Sequence, residues 1–325
     1  MFKIGIIGAG EIAQNHESEI AKLDDCKITA VCDIREDAAK AIAEKHGARV
    51  FTDYRDLLKT DVDIVYILTP PFLHKEMTIA AAEAGKHIFV EKPLALSYED
   101  CVEIKAAVDK AGVKCQVGYI VGYNPAGDTA RRLFKENKIG DLVVIWDKRM
   151  HSANILNSSL GTHKDWLTDK NKSGGHLLEC MTHEVQWMLS IGGEVESVYA
   201  NIQSANPNPN ITADDNCWAI LKFKNGGIGV LGTSWSCPIN SMEKGILGTA
   251  GVIEISGRKV KMAKNDDEVQ EVETVADTNM SKQAHFNKCI RENLKPFNSI
   301  DEAVYNIKVI IAMHKSSLNN EVVKL

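Results

Sequence analysis

Lys3-Ile4-Gly5-Ile6-Ile7-Gly8-Ala9-Gly10-Glu11-Ile12-Ala13 is an apolar strand pattern that runs directly into a glycine turn and a helix start. In the GxGxxA spacing the first glycine permits the tight turn, the second lets the backbone approach a pyrophosphate, and Ala13 keeps helix and strand close. The helix start offers unpaired N–H groups and a positive dipole end to phosphates. Alone, the spacing serves a plain turn equally well. Asp33 tips the balance: it ends the apolar run Ile28-Thr29-Ala30-Val31-Cys32, twenty residues after Ala13. There a carboxylate can accept hydrogen bonds from adenosine ribose hydroxyls, the competing role being a helix N-cap. Asp33 would repel a 2′-phosphate, so NAD is expected over NADP, with Arg35 turned inward as the route by which NADP remains possible. The expected cofactor contacts here are Gly8, Ala9, Gly10, Glu11, Ile12, Asp33 and Arg35.

Outward from this loop, short β-branched runs alternate with helical stretches as far as about Ile120, the mark of βαβ units and a parallel sheet. The runs are Lys3 to Gly8, Lys27 to Asp33, Val62 to Thr69, His87 to Val90 and Lys114 to Ile120. Met77, Ala80, Ala81 and Ala84 have helical spacing before Gly85, and Cys101, Ile104, Val108 and Ala111 repeat it before Gly112. Beyond Ile120 the strand candidates lengthen: Asp141 to Met150, Val195 to Gln203, Asn216 to Lys224 and Ile228 to Trp235. Asn225-Gly226-Gly227 reads as a hairpin turn, so this region is expected to be an antiparallel or mixed sheet. The expected division is a dinucleotide-binding domain over 1–120 and a second domain over 121–325. Ser299-Ile300-Asp301-Glu302 reads as a capping box opening a helix whose apolar face is Ile300, Ala303, Val304, Ile307 and Ile311. Asn206 to Asn210 and Lys264 to Glu273 read as exposed connections.

Composition removes several classes of function. The 325 residues are 44% hydrophobic and 25% charged, with a net charge of -6 and no dense lysine or arginine block, so nucleic acid is not expected as a partner. No apolar run approaches about 18 residues, and Met1 leads straight into a strand-like segment; a membrane partner is not expected and the expected location is the cytoplasm. The eight cysteines form no CxxC pair and are expected to be reduced.

Two further strand candidates end in unusual chemistry. Val65-Tyr66-Ile67-Leu68 leads to Thr69-Pro70-Pro71-Phe72-Leu73-His74, and Ile88-Phe89-Val90 leads to Glu91-Lys92-Pro93. Ligands of open α/β sheets bind beyond the carboxyl ends of the strands. A lysine there, rigidified by proline, suits proton transfer beside a cofactor ring, and the competing role is an ordinary Lys–Glu pair. Thr69, Pro70, His74, Glu91 and Lys92 are therefore expected on the cofactor side.

The glycine loop, the acid of the second strand, the TPPxxH segment and Glu91-Lys92-Pro93 together resemble the glucose-fructose oxidoreductase / inositol dehydrogenase / rhizopine catabolism (Gfo/Idh/MocA) family, over essentially the whole chain. Ser173-Gly174-Gly175-His176-Leu177-Leu178-Glu179-Cys180-Met181-Thr182-His183 is similar to the family's GGGxLLDxGxH segment. The resemblance implies a Rossmann doubly wound parallel sheet followed by an α/β domain with a large, mostly antiparallel open sheet that often mediates dimers or tetramers. It also implies NAD(P)-dependent oxidation of a secondary hydroxyl of a sugar, glycoside or cyclitol. By resemblance Lys92 contacts the reacting hydroxyl, His183 accepts its proton, and Glu179 stands where the family has an aspartate. Gln186 and Gly122 depart from the pattern, where relatives often carry a carboxylate and an arginine. Glu179 and His183, four residues apart, are expected on one helical face.

The candidate substrate contacts are Tyr119, Tyr123, His151, His163, Trp166, His176 and Glu179, the polar stretch Ser152 to Thr162 bordering the pocket. His176, Glu179 and His183 also have the spacing of a zinc site, but hydride transfer needs no metal when a lysine and a histidine manage the proton, so no metal is expected. His16 is expected to pack or cap. Two rival activities remain open at this stage: glycoside cleavage through transient oxidation with the nicotinamide restored, and a non-catalytic sugar or nucleotide sensor.

Overall fold

The computed structural model describes residues 1–152, 154–264 and 267–325. The chain divides into two compact units, one of Met1–Tyr119 with Met280–Val304, the other of Ile120–Asn279 with Tyr305–Leu325. The break near residue 120 lies where the strand rhythm changes. The segment 280–304, assigned by sequence to the second region, packs with the first.

The first unit holds β1 (Phe2–Ile7), α1 (Glu11–Ile20), β2 (Cys26–Cys32), α2 (Glu36–His46), β3 (Arg49–Phe51), α3 (Tyr54–Leu58), β4 (Ile64–Ile67), α4 (His74–Glu83), β5 (His87–Val90), α5 (Tyr98–Ala111) and β6 (Cys115–Val117). Its six strands are parallel in the order β3-β2-β1-β4-β5-β6. The order reverses between β1 and β4, so the loops after these strands diverge and leave a crevice, the place where open α/β sheets bind ligands. Strands buried on both faces read as continuous apolar runs, and β4 is buried at every position. Gly85 and Gly112 stop α4 and α5 in left-handed conformation, φ +70° and +66°.

The second unit holds α6 (Pro125–Lys135), β7 (Leu142–Ser152), α7 (Asn154–Ser159), α8 (Lys170–Ser173), α9 (Gly175–Glu179), α10 (Thr182–Gly192), β8 (Val195–Gln203), β9 (Asn216–Phe223), β10 (Ile228–Cys237), β11 (Ser241–Gly248), β12 (Gly251–Ser256), β13 (Lys259–Ala263) and β14 (Gln270–Val272). Its sheet, in the order β14-β13-β12-β11-β7-β10-β9-β8-β15 with β15 at Val323–Lys324, is antiparallel at every pairing except β7 with β10. β9 alternates buried and exposed residues, as a one-sided sheet requires. The Asn225-Gly226-Gly227 turn joins β9 to β10, with Gly226 at φ +92°. β14 falls inside Lys264 to Glu273, which the sequence reads as a connection.

Two more helices follow β14: α11 (Lys282–Arg291) and α12 (Ile300–Asn319). Ser281 caps α11, its hydroxyl accepting from the Ala284 N–H at 3.2 Å. The Phe286 side chain of α11 is fully buried in the core that includes Ile4, Ile6, Ile20 and Phe89, and Asn287 donates to Asp25 at 3.0 Å. At the start of α12 the Glu302 carboxylate accepts from the Ser299 N–H at 2.8 Å, the reach-back half of a capping box. Among the described residues no helix is long and apolar enough to cross a membrane.

Candidate functional site

In the first unit the carboxyl ends of β1, β2, β4 and β5 carry the expected cofactor residues. Gly8 follows β1 at φ +94°, and a Cβ there would stand 2.8 Å from the Leu68 carbonyl carbon and oxygen. The turn therefore packs on the loop after β4, and only glycine fits. Gly10 is the N-cap of α1; a Cβ there would meet nothing within 4 Å, and no side chain caps the helix. Open space at a helix N-terminus suits a pyrophosphate. Glu11 and Ile12 begin the helix and are exposed, while Ala13 is fully buried.

Asp33 Oδ2 accepts from the Ala9 N–H at 2.8 Å and Oδ1 from the Arg35 N–H at 2.9 Å, tying the glycine turn to the end of β2. A carboxylate has about four acceptor sites, so these two bonds leave capacity for ribose hydroxyls. Asp33 is not the helix N-cap weighed for it, since α2 is capped at Arg35 with no side-chain bond; it orders the loop through the Ala9 and Arg35 backbone N–H groups instead. Arg35 is half-exposed with its Nε 3.7 Å from Asp33 Oδ1. These residues fit an adenine dinucleotide.

After β4, the Thr69 hydroxyl donates to Met77 Sδ at 3.5 Å, and Thr69 and Pro70 are partly exposed. His74 is a correction to its assignment as a cofactor contact. It is fully buried, with Nδ1 2.7 Å from the Pro93 carbonyl and Nε2 2.8 Å from the Thr69 carbonyl, so it braces two loops. Burial pulls its pKa down, against the opposing pull of both carbonyls and Glu91. Glu91 is likewise drawn inward: it is buried, its Oε1 accepting from His16 Nε2 at 2.9 Å. Lys92 is partly exposed at the end of β5. Tyr119 is fully buried, which removes it from the substrate contacts, and its carbonyl accepts from Asn298 Nδ2 at 3.2 Å.

In the second unit the SGGHLLECMTH segment does not form one continuous helix. α9 ends at Glu179 and α10 starts at Thr182, across a turn at Cys180 and Met181. Glu179 and His183 are both partly exposed but stand on successive helices. His176 departs from its expected substrate contact: it is fully buried, Nε2 is 2.5 Å from Thr233 Oγ1, and its ring lies 4.2 Å from that of Trp235. Burial, with His151 and Arg149 nearby, pushes its pKa from 6.5 down to about 3. The unfolded ring therefore binds a proton first as pH falls, so this contribution to stability is complete above about 6.5 and is lost on descending toward about 3. The urea midpoint should fall across that window, and His176→Phe, which keeps a ring against Trp235, should flatten the fall. Equal pH dependence in both proteins would refute it.

Of the remaining candidates, Tyr123 is half-buried and His163 exposed, while Trp166 packs against the side core of Leu156, Leu167, Ile211, Ala213 and Trp235. His151 is half-buried on β7, with its pKa lowered by burial and by Arg149. Ser152 to Thr162 includes Ala153, which lies outside the described residues. Among the described residues no three His, Cys, Asp or Glu side chains converge as a metal site, and no disulfide joins the cysteines.

Sequence reasoning missed the acid directly after His183. Glu184 is buried and accepts from Arg149 Nη1 at 2.5 Å and from Lys244 Nζ at 3.0 Å, while Lys244 also reaches Asp147 at 2.9 Å and stands 3.9 Å over the Trp187 ring. Burial alone would raise the Glu184 pKa, but Lys244, Arg149 and His183 outweigh it and hold the carboxylate ionised. Gln186, in the place of the family carboxylate, accepts from Asn306 Nδ2 at 3.0 Å within a buried amide network. No local signal marks Lys244 or Arg149, since Glu184 lies on α10, 60 and 35 residues away from them, and Asp147 lies on β7.

Comparison with known proteins gives the same reading. The family described as "Oxidoreductase family, NAD-binding Rossmann fold" matches residues 2–119, and "GFO/IDH/MocA C-terminal domain" matches 128–254. The uncharacterized oxidoreductase YrbE of Bacillus subtilis is 32% identical over 87% of this chain and 79% of its own length. The 2,7-anhydro-N-acetylneuraminate hydratase of Escherichia coli is 32% identical over 78% and 68%. The scyllo-inositol 2-dehydrogenase (NAD(+)) of B. subtilis is 26% identical over 99% and 96%. A levoglucosan dehydrogenase solved with NADH and levoglucosan shares the fold, with a TM-score of 0.89 and 22% identity over 99% of both chains. A glycine turn that only glycine can make, an acid tied to it, and these matches over both units place the chain in the GFO/IDH/MocA family of NAD-binding oxidoreductases.

Proposed function

We propose that the enzyme oxidises a secondary hydroxyl of a sugar, glycoside or cyclitol, with Lys92 and His183 managing the proton. The observation that carries this reading is the Glu91-Lys92-Pro93 turn: a partly exposed lysine at the carboxyl end of β5, two strands from the glycine turn in the sheet order, with a buried carboxylate behind it. When bound, the nicotinamide supplies the hydride acceptor. Lys92 donates a hydrogen bond to the reacting oxygen and His183 takes its proton as the carbon–hydrogen bond gives up its hydride, so oxygen and carbon each lose one hydrogen and a carbonyl forms. The ionised Glu184 next to His183 favours the imidazolium that results. Glu179 orients a neighbouring hydroxyl. Lys92 belongs to the first unit and His183 to the second. NAD is the preferred form, because Asp33 disfavours a 2′-phosphate.

The likeness to a hydratase favours a second reading, in which oxidation is transient and the nicotinamide is restored within each cycle. One experiment tests both: sugars, glycosides and inositols are supplied with NAD or NADP, and reduced cofactor and substrate consumption are followed together. Matched rates support net oxidation, and consumption without accumulating NADH supports the cycle. No consumption of any member of the panel with either cofactor would overturn the substrate class. Self-association, expected from the family resemblance, has a fitting surface on the open face of the large sheet, where Tyr199, Trp218, Ile220, Ile228 and Leu247 are exposed.

A further inference from the structure

Behind the Lys92 turn lies a buried cluster that the proton transfer itself does not use. Glu91 Oε1 accepts from His16 Nε2 at 2.9 Å and lies 3.6 Å from Lys282 Nζ, while Oε2 accepts from the Lys92 backbone N–H at 3.1 Å. Gln283 Nε2 donates to His16 Nδ1 at 2.9 Å, which leaves the proton on Nε2 for Glu91. Lys282 Nζ also donates to the Gly118 carbonyl at 3.3 Å. A Cβ at Gly118 would stand 2.6 Å from Glu91 Oε1, so the carboxylate occupies the space a side chain there would need. The His16 ring is wedged edge-on against Tyr66 and Phe89. Lys282 and Gln283 open α11, and Phe286 anchors that helix in the core.

The charges in this cluster are unequal. The groups facing Glu91 are His16 from α1, His74 from α4, Lys282 from α11 and Lys92 on its own turn. Burial would favour the neutral acid, yet Lys282, His16 and Lys92 together hold the carboxyl well below its usual range. The ionised carboxylate thus has Lys282 Nζ 3.6 Å from its Oε1 and the Lys92 backbone N–H on its Oε2, and the charges of Lys92 and Lys282 both act on it. A neighbouring anion favours an ammonium, and a cation that neutralises the anion weakens that effect.

We propose that Lys282 and His16 are positioning residues for Lys92: they fix the Glu91 carboxylate behind the turn, and the charge of Lys282 sets how strongly that carboxylate holds Lys92 in its ammonium form. The proposal rests on the reading of Lys92 as the proton-handling lysine. It assigns a role to a residue that lies near the other end of the chain.

Competitive labelling of the full-length protein with acetic anhydride, read by peptide mass spectrometry across about pH 6 to 11, gives the titration midpoint of Lys92 without substrate or cofactor. Lys282→Met should raise the midpoint by about half a pH unit or more, Glu91→Gln should lower it by a similar amount, and Lys282→Arg should leave it within about 0.2 unit of the original. A merely structural role would not give opposite shifts. Midpoints in Lys282→Met and Glu91→Gln that both stay within about 0.2 unit of the original would overturn the proposal. If Lys282→Met does not fold, Glu91→Gln and Lys282→Arg decide on the same criteria. Turnover of Lys92→Met separates the two claims. An inactive Lys92→Met with unmoved midpoints overturns the positioning role alone, whereas moved midpoints with a fully active Lys92→Met overturn the proton role and leave the cluster's charge coupling standing.

Discussion

Replacing Lys92 with methionine should lower kcat/KM about 100- to 10,000-fold, the range that positioned proton-transfer groups contribute, while NAD affinity stays within a few-fold. Methionine keeps a long unbranched chain and removes only the ammonium. The turn should survive, because Glu91 holds it through the Lys92 backbone N–H, and His16 and Lys282 still hold Glu91. The contacts expected to dominate cofactor affinity, at Gly8, Gly10 and Asp33, lie on other loops. Steady-state kinetics on a substrate found in the panel, with calorimetric titration of NAD, measures both quantities. Undiminished turnover under saturating NAD would remove Lys92 from the mechanism.

Gly8→Val should be as damaging through a different cause. The position combines φ +94° with an approach of 2.8 Å to the Leu68 carbonyl, so valine brings both backbone strain and a collision with main chain that cannot rotate away. Strain of about 1 to 3 kcal/mol, with overpacking of similar size, predicts a clear fall in Tm. The turn must move, and NAD affinity should drop by about 100-fold or more, since about 2.7 kcal/mol of lost contact is enough. Gly10→Ala is the control: its methyl group enters open space, so Tm should hold while NAD affinity falls. If Gly8→Val binds NAD normally, the glycine turn is not the phosphate cradle.

The two variants also mark where local pattern is informative. The glycine turn, Asp33 and Lys92 sit at strand ends, and the strands around them are continuous apolar runs, so their positions are legible from neighbouring residues. β8, at Val195–Gln203, has the bounds its alternation predicts. β11 went unseen because Lys244 occupies an inward position, breaking the apolar alternation, and its compensating acids Asp147 and Glu184 lie far away in sequence. Lys282 escaped for the same reason, its partner Glu91 being visible only in three dimensions. Glu179 and His183 illustrate a different failure: their spacing presumed one continuous helix, whereas the turn at Cys180 and Met181 puts them on successive helices.

The return of Met280–Val304 to the first unit bears on how the protein is made. Phe286 completes the core around Ile4, Ile20 and Phe89, and Gln283 completes the hydrogen bonding of His16. During synthesis the nucleotide-binding half must wait, its first helix uncovered, until residues 280–304 have left the ribosome, long after the strand that carries the glycine turn. A transcript cut after the large sheet would yield a chain whose cofactor platform is never finished.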